Sequence, residues 1–217
     1  MRPHPHHRLG RLAAQLRPAP IPAADADDPP LYTASVPVFL HYLNNLKAIL
    51  GRVRGRELLL HAQLAPDMMN AATQMHVCAN YSLRIAFPLA GKPVPDREGG
   101  PEGGPDAYRL PPLAPFSSTD AADIEARIDA VLAALRSLAP ADFVGAESRP
   151  IRHSAGPAEL TQPGADFLHL YGMPNFFFHL SMAYANLRGQ GLEIGKADFD
   201  GHHVMIIASQ RLVSAGF

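Results

Sequence analysis

The chain is poor in cysteine, in net charge and in recognisable signatures, and each shortage narrows what it can be. Its one cysteine, Cys78, has no partner for an internal disulfide and rules out an all-cysteine metal site within one chain, which suits a reducing, cytoplasmic setting. Nineteen basic residues against twenty acidic ones give a net charge of −1, so the chain lacks the positive excess that nucleic-acid binding normally needs. There is no G-x-x-x-x-G-K-[ST] run, no G-x-G-x-x-G after a strand pattern and no G-x-S-x-G elbow. Nor is there a period of roughly 20 to 50 residues that would mark a repeat array.

Apolar material is what the chain does have. Of 217 residues 47% are hydrophobic and 18% charged, enough for one domain with a real core. Fourteen of the 22 prolines fall in residues 1–30 and 91–115. The first of these segments carries four arginines and His4, His6 and His7, with no acid before Asp25 and no apolar run like that of a secretory signal. It is expected to be a disordered extension with no assigned function. The second combines seven prolines with five glycines, which neither a helix nor a strand ladder can pass through, and predicts a long loop.

Between and after these segments the apolar residues recur at three- and four-residue steps, the period of a buried helix face. Val36, Phe39, Leu40, Leu43 and Leu50 predict a first helix over 31–51, with Thr33 or Ser35 as cap and Gly51 as stop. Met68, Ala72, Met75, Ala79, Leu83 and Ala86 predict a second over 66–90, opened by Pro66 and a capping Asp67. Thr119 and Asp120 start a third over 119–139, whose Ile124, Ile128, Val131, Leu135 and Leu138 form the cleanest stripe in the chain. A fourth is expected over 166–189. From Phe167 to Leu187 it has no charged residue, yet its histidines, asparagines, serine, glycine and proline would need partners in lipid, so it reads as the most buried helix of a bundle and not as a membrane span. Between Arg149 and Leu160 two short runs flank Gly156-Pro157 and are able to pair as a small hairpin. The fold class is therefore all-α: a four-helix bundle with a long Pro/Gly loop between helices two and three and a small hairpin before helix four.

The stretches LYTASVPVFLHYLNNLKAIL, AQLAPDM, MPNFFFHLSMAYANLR and GLEIGKADFDG resemble the markers of the family called domain of unknown function 1993, found in bacteria and fungi. The most specific piece is Pro174 to His179, followed by Ala-Tyr-Ala and then Glu193 to Phe199. The resemblance runs from about Leu31 to Gly201, leaving 1–30 and 202–217 outside; the last segment, HHVMIIASQRLVSAGF, suits a short helix docked on the bundle or a C-terminal extension. It implies the four-helix fold of the DinB-like superfamily, which includes thiol-dependent transferases and isomerases with a metal held by three histidines. There one ligand comes from helix two and a His-x-x-x-His pair from helix four, typically nine residues before a Leu-Arg end. His179 stands nine residues before Arg188 and matches the second of the pair, while Asn175 replaces the first. His76 falls at the helix-two position, which many members of the closer family fill with glutamine.

The spacing agrees with that carry-over. Asn175 and His179 are i,i+4 on one helix face, and His76 joins Ala72, Ala79 and Leu83 in a row that can face inward. Two imidazoles and an amide oxygen can hold a divalent metal (zinc, nickel or iron), with His41 and His169 available to enlarge the site. The same three residues can equally be hydrogen-bonded parts of the core. His61 and His153 are expected in solvated connectors, Phe176, Phe177, Phe178 and Tyr184 in the core, and Cys78 as a buried, inert thiol on a face other than that of His76. Two function classes follow: a metal-dependent enzyme that activates a thiol or water toward a small-molecule substrate, or a non-catalytic bundle that binds a small ligand or forms a homodimer. Neither uses nucleic acid or a membrane.

Overall fold

The computed structural model describes residue 25 and residues 27–95 and 110–202; most of the two proline-rich segments and nearly all of the 202–217 extension lie outside the described residues. The helices are α1 (Pro30–Thr33), α2 (Val36–Gly51), α3 (Ala71–Leu89), α4 (Ala121–Arg136), α5 (Gly164–Asp166), α6 (Met173–Gly189) and α7 (Lys196–Asp200). Short 3-10 turns occupy Glu57–His61 and Pro140–Phe143, and a π-helical turn, Phe167–Gly172, joins α5 to α6. One antiparallel pair, β1 (Pro150–Ala155) and β2 (Ala158–Pro163), runs in register from Pro150↔Pro163 to Ala155↔Ala158 around Gly156. The molecule is thus mostly helical with a small two-stranded sheet, and the hairpin expected before the fourth helix is present.

The four long helices, α2, α3, α4 and α6, fall where the apolar periodicity places them, but three details differ. The first helix is broken at Ala34 and Ser35, where the Ser35 hydroxyl donates to the Leu31 carbonyl and closes the short α1 turn before α2 begins. The second starts at Ala71 instead of residue 66, because Asn70, not Asp67, accepts from the Thr73 amide at 2.8 Å and caps it. The most buried helix is α3, not α6. Fourteen of the nineteen residues of α3 are buried, against six of the seventeen of α6. The physical reason is position: α3 packs against both α4 and α6, so two of its faces are covered, and the lack of charge from Phe167 to Leu187 does not by itself bring a helix to the centre.

On α4 the expected stripe holds: Ile124, Ile128, Val131, Leu135 and the following Leu138 are all buried, and Asp120 caps the helix through the Ala122 amide at 2.7 Å. Two glycines allow close approach on the α6 side. A Cβ on Gly172 would stand 3.0 Å from Ile85 of α3, and one on Gly164 would overlap the carbonyl oxygen of Ala146. The π-helical turn is tied to the hairpin through the Tyr171 hydroxyl, which donates to the Ser154 carbonyl at 3.0 Å. Among the described residues no helix is long and apolar enough to cross a membrane.

Candidate functional site

On α3 the residues that meet α6 and the π-helical turn before it recur at spacings of 4, 3 and 4: Gln74, Cys78, Tyr81 and Ile85. Gln74 is buried, and its Oε1 accepts from Nδ1–H of His179 at 2.7 Å. That bond fixes the tautomer: the proton sits on Nδ1, and the lone pair stays on Nε2. The ring stacks on Tyr81, with centroids 5.2 Å apart and planes inclined by 21°, and meets Phe178 edge-on at 5.3 Å. Burial lowers the pKa of His179, so the neutral imidazole persists at neutral pH. The Tyr81 phenol is pushed up by burial and by its hydrogen bond with Tyr171, and stays protonated. Asn175 is half-buried and turns its Nδ2 back to the Tyr171 carbonyl at 2.7 Å, supplying a donor to the π-helical turn next to Pro174, which has none. Cys78 Sγ lies 3.7 Å from the Phe176 carbonyl oxygen, and full burial drives its pKa up, leaving an unreactive thiol.

His76 looks the other way. Two residues apart on a helix lie about 200° apart, so when Gln74 faces α6, His76 faces α4. Its Nδ1 accepts from Nε of the buried Arg127 at 2.8 Å, and its Nε2–H donates to the Ser118 carbonyl at 3.1 Å. Arg127 also reaches the Ala114 carbonyl and packs 4.3 Å from the centre of the Phe116 ring. The Ser118 hydroxyl donates to Asp123 at 2.5 Å. This network fastens the segment entering α4 to the bundle. Burial, then the Arg127 charge, lowers the His76 pKa from 6.5 to about 4.

Residues 31–200 match the family described as domain of unknown function (DUF1993). The chain belongs to the DUF1993 family. The DUF1993 chain is also similar to the crystal structure of a DinB family member from Shewanella denitrificans, with 28% identity, a TM-score of 0.63, and coverage of 80% of this chain and 93% of that one. Among curated proteins none matches.

The three-histidine metal site is an expectation of the sequence resemblance alone, and the donor set of this DUF1993 chain decides whether it fits. The structure joins His179 to Gln74, not to His76. His76 spends its lone pair on Arg127 and its N–H on Ser118, so neither ring nitrogen is open to an ion. Asn175 gives its amide nitrogen to a backbone carbonyl. These residues do not fit a three-donor centre, and among the described residues no group of three or more His, Cys, Asp or Glu is placed to hold a metal. The other histidines are elsewhere: His41 is buried against the Asp200 carbonyl at 2.6 Å, and His169 and His61 are exposed. His153 is a correction, since it packs against Tyr171 and Phe167 and bonds Gln162 across the hairpin at 2.8 Å. Phe178 is a second, being 52% exposed and not core.

Gln74 is the residue that sequence reasoning missed. The apolar stripe drawn through Ala72, Met75, Ala79 and Leu83 marks only one buried side of a helix that has two. A signal was present: the row Gln74, Cys78, Tyr81, Ile85 has the same spacing, and a glutamine at the helix-two position is what the family resemblance suggested.

Proposed function

We propose that this DUF1993 protein is a non-catalytic helical bundle that binds a small ligand without a resident metal, the ligand donating a hydrogen bond to Nε2 of His179. The observation that carries this reading is the Gln74–His179 bond. It holds a neutral imidazole in one tautomer and leaves an oriented acceptor for which no described residue supplies a donor. Tyr81 and Phe178 around the ring favour a ligand that is apolar apart from one hydroxyl or thiol donor.

The test is long-range proton–nitrogen NMR of untagged protein, with phenol and 2-mercaptoethanol as the probe donors and elemental analysis of the same sample. The expected result is a protonated Nδ1, a saturable shift at Nε2 of His179 with either probe, and no stoichiometric metal. One equivalent of metal that survives dialysis and disappears in His179→Ala would overturn the reading in favour of the metal-dependent enzyme. That enzyme requires His76 to give up both its present bonds.

A further inference from the structure

The chain from Gly191 onward runs back along α2, antiparallel to it. Arg56 donates to the Gly191 carbonyl at 3.3 Å, Arg52 to the Glu193 carbonyl at 2.9 Å, Asn45 to the Phe199 carbonyl at 3.1 Å and His41 to the Asp200 carbonyl at 2.6 Å. His202 then stacks on His41, with centroids 4.8 Å apart and planes 15° from parallel. Each step along this segment therefore meets an earlier residue, first Arg56 and Arg52 in the turn after α2 and then Asn45 and His41 on α2 itself. On α2 the row continues from Asn45 and His41 to Val38, and Ala34 follows at the break before the helix; both are apolar and half-buried.

Beside that row lies α6. Tyr42 touches both Phe177 at 4.9 Å and Phe199 of α7 at 5.9 Å, and one turn earlier Phe39 meets Phe176 at 4.8 Å, so α2 and α6 stay in contact toward their N-termini. On the outer side of α6 no residue from Phe167 to Leu187 is charged, Leu170 is 70% and Phe178 52% exposed, and Pro174 between them is exposed. An uncharged apolar strip of this kind is a candidate docking surface. The fifteen residues after His202 carry Val204, Met205, Ile206, Ile207, Leu212 and Val213 with a single charge at Arg211. Extended, fifteen residues reach roughly 50 Å, many times the rise of about 5 Å that separates His41 from Val38 on a helix.

We infer that the C-terminal segment of this chain, led by Val204–Ile207, docks along the α2–α6 seam beyond His202, over Val38 and Phe177 and onto Phe178. Direction selects this occupant over a second copy: α7 and His202 already deliver the segment to the next residues of the row, so docking closes no new loop. Four consecutive apolar residues, Val204 to Ile207, suit a strip that offers no charge.

Paramagnetic broadening tests this on the full chain. A spin label on Ala208→Cys is selective, because native Cys78 is fully buried. The expected result is loss of the amide signals of Val38, Phe177 and Phe178, and their return when Ile206→Asp and Ile207→Asp are added. Mixing labelled chain of natural isotope content with unlabelled nitrogen-15 chain should leave those signals intact. Broadening in the mixed sample would assign the strip to a second copy, and broadening that is absent or centred elsewhere would show that the segment does not dock there; either result overturns the inference.

Discussion

Nε of Arg127 on α4 stands 2.8 Å from Nδ1 of His76 on α3, so a cation holds the lone pair of a buried imidazole. The consequence is a pH dependence of stability with a definite sign. The His76 pKa is lowered from 6.5 to about 4. Between these values the unfolded chain binds a proton that the folded one does not. Stability from this group is therefore complete above pH 6.5 and is lost as pH falls toward 4, by about 2–3 kcal/mol at most. Urea denaturation of wild type and His76→Gln across this range should show the difference between them shrinking as pH falls. A difference that does not change with pH would exclude the linkage.

The Gln74–His179 bond predicts coupling. Gln74→Ala and His179→Ala should each destabilise the protein by about 1–3 kcal/mol, through a lost bond and a buried polar group left without its partner. The double variant should cost less than the sum, with an interaction energy of about 0.5–2 kcal/mol in a denaturation cycle. Strict additivity would mean that the two side chains do not meet in solution.

Rebuilding a metal centre distinguishes Gln74 from His76 as the residue facing α6. Asn175→His alone should not make the protein retain zinc, because His76 remains held by Arg127 and Ser118. Gln74→His combined with Asn175→His sets three imidazoles on the facing sides of α3 and α6 and should retain about one zinc after dialysis. Zinc retention by the single variant, measured by elemental analysis, would count against the orientation of α3 described here.

Gly164 offers a purely steric prediction. A Cβ there would overlap the Ala146 carbonyl oxygen, and backbone on both sides cannot yield as a side-chain tip does. Gly164→Ala should lower stability by about 1–3 kcal/mol. The control is Gly189→Ala, where nothing lies within 4 Å of the added atom. There the change should be neutral or stabilising by about 0.4–1 kcal/mol. Equal melting temperatures for the two variants would contradict the contact.

The sequence by itself determined the helical class, the four long helices and the hairpin. Each is a local matter: a three-to-four-residue apolar period, a cap and a stop act within a few residues of one another, as at Asp120 and Ile124 through Leu135. The tertiary structure alone decided which side of α3 meets which neighbour. Periodicity reports that a residue is buried and not by what, and α3 is buried on two sides, so the sequence pointed to His76 and passed over Gln74 until packing assigned Gln74 to His179 and His76 to Arg127. Packing also settled why α6 leaves Phe178 exposed although no residue from Phe167 to Leu187 carries a charge. Burial depends on which faces neighbours cover, and that is fixed by contacts between residues such as 74 and 179, which are far apart in the chain.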